Sequence, residues 1–184
     1  KVIAPSTPYD TKGLLKSAIR DDDPVIFLEH KRTYRLVRGD VPEDEYTLPI
    51  GDADVKMEGT DLSVISYGLM LHLCIEAAQD LIDEGISVEV LDLRTLRPLD
   101  SEAILSTARK TGKVLIVHED TKALGIGSEV SAIISEDAFE YLDGPIMRIA
   151  GPEVPAMPFS PDLEAMFLPD TERIGDAMRK LIQY

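Results

Sequence analysis

The sequence predicts an α/β fold with a mostly parallel sheet and helices on both faces of that sheet. Three observations support this prediction. Short apolar runs typical of buried strands alternate with helical patterns, capping residues and glycines mark the helix ends, and 44% of the 184 residues are hydrophobic. Strands that alternate with helices form parallel sheets through right-handed crossovers, which place the helices over the sheet.

The first 35 residues predict a strand fragment, one helix and one strand. Thr7 is placed to cap the helix, Pro8 fits its first position, and Asp10 lies where the helix dipole favours a negative charge. Apolar residues then keep helical spacing as far as Arg20, and residues 25–28 form an apolar run typical of a strand. These elements are too few to bury a core of their own.

A stretch rich in proline, glycine and acidic residues follows, and residues 40–60 are interpreted as an extended linker. It separates a first part, residues 1–39, from a domain at residues 61–184. In that domain the predicted strands are residues 62–66, 87–93, 114–118 and 146–149. The predicted helices are residues 69–84, 101–111, 128–142 and 171–184.

Charge and composition exclude several classes of function. The net charge of −15, from 19 basic and 34 acidic residues, argues against nucleic acid and anionic membrane surfaces as partners. A basic protein partner fits this charge, and simple solubility explains it equally well. No signal peptide or membrane-spanning run is visible, so we expect a cytoplasmic protein. Cys74, the single cysteine, is expected to be a buried apolar residue.

Residues 17–35 contain the strongest functional signal. Asp21 and Asp23 follow the first predicted helix, where exposed carbonyl groups and carboxylates together attract a cation. The apolar run after Pro24 then leads to Glu29 and His30 at its carboxyl end, which is where α/β proteins present ligand sites. A solvated acidic turn before a buried strand explains the same residues without any ligand.

Further candidate residues follow the other predicted strands: Tyr67, Gly68, Asp92, Arg94, His118, Glu119, Asp120, Gly151, Pro152 and Glu153. His118 is suited to acid–base chemistry because an adjacent carboxylate can adjust its protonation, and a structural or interface hydrogen bond is the alternative. His72 has no second metal ligand one helical turn away, so we expect a surface or interface role for it.

The triplet Gly125-Ile126-Gly127 opens a predicted helix, as the glycines of a dinucleotide-binding loop do. Val130 stands where that loop needs its third glycine, so glycines that seat the helix against the sheet or a neighbouring chain explain the triplet better. No complete catalytic motif occurs. The sequence therefore assigns no catalytic residue and no cofactor-binding residue to this chain.

Several segments, taken together, resemble the β subunit of the thiamine-diphosphate-dependent 2-oxo acid dehydrogenases. The resemblance covers essentially the whole chain. Its most specific motifs are Lys31-x-x-Tyr34-Arg35, Asp92-Leu93-Arg94-Thr95 with Pro98-Leu99-Asp100, and Gly151-Pro152-Glu153-Val154-Pro155. Within that family, Glu29-His30-Lys31 and residues 151–158 favour the branched-chain enzymes over pyruvate dehydrogenase.

The resemblance implies that residues 1–39 are the end of a pyrimidine-binding domain and that residues 61–184 are a transketolase-type C-terminal domain. The family's cofactor-activating glutamate and its substrate-side histidine belong upstream of the segment that begins at Lys1. We therefore expect the chain to be the C-terminal portion of a longer subunit and to be inactive alone. The intact enzyme would be an α2β2 tetramer, with a second β subunit and with thiamine diphosphate and magnesium bound. It would decarboxylate branched-chain 2-oxo acids such as 2-oxoisovalerate and transfer the acyl group to lipoyllysine.

Two sites in this chain are implied by the same resemblance. The family binds a potassium ion through carbonyl oxygens that correspond to Ala18, Asp21 and Asp23. Its C-terminal domain also binds a basic peripheral-subunit-binding domain of the acyltransferase core, and Tyr184 would place a terminal carboxylate near that surface. The alternatives are a pyruvate dehydrogenase β subunit, another transketolase-like enzyme, and a non-catalytic interaction module.

Overall fold

Two β-sheets organise the chain in a computed structural model that describes residues 1–184. The strands are β1 Val2–Ile3, β2 Ile26–Phe27, β3 Asp54–Met57, β4 Leu62–Ser66, β5 Val88–Asp92, β6 Thr95–Arg97, β7 Val114–Thr121 and β8 Met147–Gly151. The α-helices are α1 Pro8–Arg20, α2 Thr33–Leu36, α3 Leu69–Ile82, α4 Ser101–Thr111, α5 Ile126–Asp137, α6 Pro161–Phe167 and α7 Thr171–Ile182. A short 3-10 helix spans Phe139–Tyr141.

The larger sheet has five strands in the order β3-β5-β4-β7-β8, and all of its pairs are parallel except β3 with β5. Successive side chains of a strand point to opposite faces. Val64 of β4 accordingly packs in a core with α3 and α7, whereas the next residue, Ile65, packs in a second core with α4 and α5. The predicted α/β class, with a mostly parallel sheet and helices on both faces, is confirmed.

The smaller sheet joins the two parts of the chain that the predicted linker separates. Its three strands have the order β2-β1-β6, with β1 parallel to β2 and antiparallel to β6. The predicted strand at residues 25–28 is shorter in the structure because β1 offers only two residues for pairing. Helix α1 begins as predicted: Thr7 Oγ1 accepts the Asp10 N–H at 3.1 Å and donates to the Asp10 carboxylate at 2.5 Å.

Residues 40–60 differ from the free extended linker that their composition predicts. The ring of Tyr46 stacks on that of Tyr9 with the centroids 4.7 Å apart, and Lys12 Nζ donates to the carbonyl groups of residues 42–44. Residues Asp54–Met57 then form β3 at the edge of the larger sheet. The prolines and acidic residues of this segment indicate exposure to solvent, but they do not prevent its aromatic and apolar residues from packing on α1.

Most other predicted elements lie within a few residues of the observed ones. The largest difference is in the predicted helix at residues 128–142, which the structure divides into α5, Ile126–Asp137, and the 3-10 helix Phe139–Tyr141. Strand β7 also continues to Thr121, where its charged end pairs with Gly151 of β8. Three further elements were not predicted, because they are short and lack a repeating apolar pattern: α2, α6 and β6. No helix combines the length and the apolar character that crossing a membrane requires.

Substitution of Gly13 with alanine tests the packing of the linker on α1. A Cβ atom there would lie 2.6 Å from Leu48 Cγ and 2.9 Å from the ring of Tyr46. We expect this overpacking to lower the free energy of unfolding by about 1–3 kcal/mol, although alanine usually stabilises a helix interior by about 0.5–1 kcal/mol relative to glycine. Urea denaturation of the variant measures this change.

Gly175→Ala in α7 is the matched control, because the nearest atom to its added Cβ is the mobile end of Arg179, at 3.3 Å. This control should be neutral or should gain up to about 1 kcal/mol. An equal gain in both variants would show that the linker does not pack tightly on α1.

Candidate functional site

A cleft of about 350 Å³ lies where strands of both sheets end. Most of its eleven lining residues follow β1, β2 or β4 or belong to the end of β7: Ala4, Pro5, Leu28, Glu29, His30, Tyr67, Gly68, Leu69, Leu96, Glu119 and Asp120. The carboxyl ends of strands are the usual position of ligand sites in α/β folds. The structure therefore brings three of the predicted groups of strand-end residues into one cavity.

His30 and Glu119 form the central polar contact of this cleft. His30 Nε2 lies 2.9 Å from Glu119 Oε2, and the side chain of each residue is 28% exposed. The two residues are 89 positions apart in the sequence, so the pair joins the first part of the chain to β7. Next to it, a hydrogen bond to Glu29 raises the pKa of Tyr34.

His118 does not line the cleft, although Glu119 and Asp120 do. Its side chain is fully buried, and neither ring nitrogen has a hydrogen-bond partner. The imidazole ring stacks on Tyr67, with the centroids 6.4 Å apart and the planes 16° from parallel. Burial lowers the pKa of His118, while the negative charge of Asp120 opposes that shift, so the ring is neutral near pH 7. Within this chain His118 does not reach the cleft and makes no hydrogen bond, and a hydrogen bond at an interface stays a prediction.

The Gly125-Ile126-Gly127 triplet packs directly on His118. A Cβ atom at Gly127 would lie 2.5 Å from His118 Nε2 and 3.1 Å from Ile116 Cγ2, and one at Gly125 would lie 2.8 Å from His118 Cε1. The glycines therefore let α5 approach β7 closely. The interpretation of this triplet as a seat for the helix on the sheet is confirmed.

Gly127→Ala should disturb the packing of α5 on β7. We expect a loss of about 1–3 kcal/mol in the free energy of unfolding, because the added Cβ would overlap a fully buried imidazole ring. Gly39→Ala provides the control, since its Cβ would lie 3.7 Å from Pro8, an ordinary contact distance. Thermal and urea denaturation compare the two variants. Equal stability of both would mean that α5 does not depend on a glycine at position 127.

Arg94, which was predicted as a strand-end candidate, belongs to a polar network that does not line the cleft. Arg94 Nη2 lies 2.6 Å from Asp10 Oδ1 and 2.7 Å from Asp54 Oδ2. Lys56 Nζ lies 2.8 Å from Asp10 Oδ2 and 2.6 Å from Asp54 Oδ2. Two acidic and two basic side chains thus join α1 to β3 and to the end of β5.

Asp92 lies beside this network and is fully buried. Its Oδ1 accepts the Ser6 hydroxyl at 2.8 Å and the Arg94 N–H at 3.1 Å, whereas Oδ2 has no partner. Burial raises the pKa of Asp92 to about 7, although the bond from Ser6 opposes the shift. The same Ser6 hydroxyl accepts the Gly68 N–H at 2.8 Å, which links the network to the start of α3.

The residues predicted to bind potassium lie together at the end of α1. The Ala18 carbonyl accepts the Asp21 N–H at 3.4 Å. Lys1 Nζ lies 2.6 Å from Asp21 Oδ2 and 3.3 Å from Asp23 Oδ2. In the structure, therefore, the two carboxylates contact an ammonium group of the same chain. No group of three His, Cys, Asp or Glu side chains is arranged to hold a metal ion. Potassium binding through backbone carbonyls stays a prediction.

The remaining predicted residues have simple environments. Tyr184 is 61% exposed, its N–H donates to the Leu181 carbonyl at 3.3 Å, and its docking role stays a prediction. His72 Nε2 lies 2.7 Å from the Ser6 carbonyl oxygen, so this side chain connects α3 to the first part of the chain. Cys74 is buried, and burial raises its pKa to about 12.

Two protein families match the chain. The transketolase C-terminal domain matches residues 51–174, and the transketolase pyrimidine-binding domain matches residues 1–37. The 2-oxoisovalerate dehydrogenase subunit beta of Bacillus subtilis (strain 168) is 57% identical over 184 residues, which are all of this chain and 56% of that protein. The pyruvate dehydrogenase E1 component subunit beta of the same organism is 49% identical, again over all of this chain and 56% of that protein.

Among solved structures, an inactive beta4 tetramer of a split-gene transketolase contains a chain with the same fold. It has a TM-score of 0.77 and 27% identity, and the match covers 99% of this chain and 57% of that one. The chain spans about half the length of the curated relatives it matches. The resemblance seen in the sequence motifs is confirmed. The chain belongs to the transketolase family, with a C-terminal domain preceded by part of a pyrimidine-binding domain, and along its whole length it is similar to the β subunits of 2-oxo acid dehydrogenases.

Proposed function

We propose that this chain is part of the decarboxylating component of a 2-oxo acid dehydrogenase complex that acts on branched-chain substrates such as 2-oxoisovalerate. The observation that supports this best is the 57% identity, over the whole chain, to a 2-oxoisovalerate dehydrogenase β subunit. The assembly would remove CO2 from the keto acid and transfer the acyl group to lipoyllysine. It would act in the cytoplasm, or in the mitochondrial matrix of a eukaryote.

Thiamine diphosphate with magnesium is the proposed cofactor of the assembly, and it supplies the electron sink for decarboxylation. No residue of this chain is assigned to it. The cleft contains three acidic side chains and no lysine or arginine, so it does not suit a diphosphate group. The contribution of this chain is structural: it provides subunit interfaces, the potassium site proposed at Ala18, Asp21 and Asp23, and a docking surface.

The proposed partners are an α subunit and a second β subunit in an α2β2 tetramer. The proposed docking partner is the basic peripheral-subunit-binding domain of the acyltransferase core. The net charge of −15 supports a basic partner because opposite charges accelerate encounter and orient the two surfaces. Tyr184 is exposed, which would allow it to take part in such a contact.

A pyruvate dehydrogenase β subunit is the second candidate, supported by 49% identity over the whole chain. The acyl pocket distinguishes the two functions, and hydrophobic pockets discriminate single methylene groups by only about 1–3 kcal/mol. Measured activity therefore distinguishes a preference for branched-chain substrates from a preference for pyruvate.

Activity of the assembled enzyme tests the proposal. The gene that encodes this chain is co-expressed with its neighbouring α subunit, and 2-oxoisovalerate, pyruvate and xylulose 5-phosphate are assayed with thiamine diphosphate and magnesium. We expect the highest kcat/KM with 2-oxoisovalerate. Preference for pyruvate would favour the second candidate, activity on the sugar phosphate alone would favour another transketolase-like enzyme, and activity on none would indicate a non-catalytic interaction module. The 184-residue chain alone should show no binding of thiamine diphosphate by calorimetry.

A further inference from the structure

Leu124 lies in the loop between β7 and α5, and its side chain is fully exposed to solvent. Its φ of 60° falls in the left-handed region, which bulky residues seldom adopt. Neither the exposure nor this backbone conformation stabilises the chain itself. Backbone conformations of this kind cluster at functional sites. Leu124 is therefore a candidate contact residue for a partner.

A groove of about 550 Å³ lies beside this loop, and Leu124 lines it together with four other aliphatic residues: Leu96, Leu99, Ile126 and Ile133. Ile126 and Ile133 are two turns apart on α5, so they share one face of that helix. Leu96, Leu99 and Ile133 also pack against the core that α4 and α5 form with the larger sheet. That core therefore reaches the surface here, and the exposed leucine stands next to an apolar depression that another leucine could fill.

The same groove contains one charged residue of each sign. Arg97 and Glu129 both line it, and both are exposed. None of the ion pairs within the chain involves either of them. A contact with two-fold symmetry joins the same patch of two copies, so that each residue meets a different residue of the other copy. A patch that carries both charges, and both a projecting side chain and a depression, is complementary to itself.

The other exposed apolar segment of the C-terminal domain does not have this property. It exposes five large apolar side chains: Val154, Met157, Phe159, Leu163 and Met166. Every charged residue between Arg148 and Arg173 is acidic, so two copies that met through this segment would repel each other. The net charge of −15 makes such repulsion the rule for the surface as a whole. The groove beside α5, with its balanced charges, is the better place for two copies to meet.

We propose that the groove beside α5 binds a second copy of this chain in a contact with two-fold symmetry. Leu124 of each copy enters the groove of the other, and Arg97 of each copy pairs with Glu129 of the other. The inference builds on the proposed function, since it assigns the surface through which the two β subunits of the proposed assembly meet.

Self-association of the chain tests this proposal directly. Sedimentation equilibrium is measured at an ionic strength of about 0.15 M, where the net repulsion is screened beyond about 8 Å. Eleven residues line the groove, whereas a standard interface has about 20–30 residues on each side. We therefore expect a weak dimer, with a Kd on the order of 10–100 µM. A chain that stays monomeric up to about 1 mM would overturn the proposal.

Leu124→Ser should weaken the dimer about a hundredfold, because a loss of about tenfold occurs at two symmetric positions. Leu124→Gly should weaken it equally without harm to the fold, since glycine adopts a positive φ readily. Met166→Ser is the matched control: Met166 is 74% exposed but lies outside the groove, so the dimer should be unchanged. Equal dimerisation of the Leu124 variants and the unaltered chain would exclude this surface.

Exchange of the two charges tests the symmetry of the contact. Arg97→Glu and Glu129→Arg should each weaken the dimer about tenfold, because each places like charges opposite one another at two positions. The double variant restores opposite charges across the contact and should regain most of the affinity. Circular dichroism checks that all three variants fold. A double variant as weak as the sum of its single changes would contradict the proposed pairing.

Binding of the α subunit separates this inference from the proposed function. If Leu124→Ser prevents binding of the α subunit but leaves self-association unchanged, the groove belongs to the α subunit and the proposal is wrong. If the unaltered chain forms the dimer but its assembly with the α subunit has no activity on 2-oxoisovalerate, the proposed function fails while the contact between two copies stands.

Discussion

Replacement of Arg94 with alanine is expected to lower the free energy of unfolding by about 3–5 kcal/mol, because it breaks a buried ion-pair network. Asp10 is fully buried, and the Arg94 side chain is 11% exposed. Without Arg94, the Asp10 carboxylate keeps only Lys56 and the Thr7 hydroxyl as partners. The Asp10 carboxylate would then be buried without enough positive charge around it. The free-energy cost of that buried charge is larger than the stability that the intact network contributes. Urea denaturation near neutral pH measures the loss.

Two further variants show whether burial is the cause. Arg179→Ala removes a guanidinium group that contacts Glu84 at 2.6 Å on the surface, and this change should have little effect because solvent screens the pair. The double variant Asp10→Asn with Arg94→Ala removes the uncompensated charge and should regain part of the lost stability, as coupled residues do. A loss in Arg94→Ala as small as that in Arg179→Ala would contradict the prediction.

The network also explains how the two parts of the chain stay together. Asp10 comes from α1, whereas Lys56 and Arg94 come from β3 and the end of β5. The smaller sheet makes a second connection through the pairing of β1 with β6, and the His30–Glu119 pair makes a third. The first part of the chain is too small to bury a core, so it depends on these contacts. Mutations in the network should therefore affect the cleft as well as stability.

Elements with a local signature could be predicted from the sequence. Helix α4 is an example: Asp100 accepts the Ala103 N–H at its start, and Gly112 ends it with a left-handed φ of 68°. Both features depend on residues inside the element. Strands β4, β5 and β7 were predictable because runs of buried apolar residues are typical of central parallel strands. β6 has neither signature, and it forms by pairing with the distant β1. α6 does have a local signal that was missed, since Pro161 lies in its first turn with Asp162 and Glu164 beside it.

The candidate site was predictable only in part, for a similar reason. The rule that ligand sites lie at strand ends identified Glu29, His30, Tyr67 and Glu119. It did not predict that His30 contacts Glu119, because that contact depends on how the two sheets are placed relative to each other. Residue type alone also gave no way to separate Glu119, which faces the cleft, from His118, which is buried beneath it. The glycines at positions 125 and 127 were the available signal, since they indicate close packing at that point.

Asp92 should make the protein less stable as the pH rises from about 4 to about 7. Burial raises the pKa of Asp92 in the folded state to about 7, from an ordinary value of 3.8. In this interval the folded state keeps a proton that the unfolded state releases, so the free energy of unfolding falls by about 1.4 kcal/mol per pH unit. Across the whole interval the loss is about 4 kcal/mol. The contribution is therefore fully present below pH 4 and is lost as the pH approaches the folded-state pKa.

Asp92→Asn isolates this effect because asparagine cannot titrate and keeps the shape of the side chain. Its Oδ1 can still accept the hydrogen bonds from the Ser6 hydroxyl and the Arg94 N–H. Oδ2 has no partner in the unaltered chain, and the amide nitrogen that takes its place in the variant has none either. Urea denaturation at a series of pH values should give a smaller slope for the variant, with similar stabilities at the acidic end and a more stable variant above neutrality. Asp22→Asn, at an exposed position, should keep the slope of the unaltered chain. Parallel pH profiles for Asp92→Asn and the unaltered chain would mean that Asp92 is charged in the fold, in which case the charge of Lys56 and the hydrogen bonds from Ser6 and the Arg94 N–H outweigh its burial.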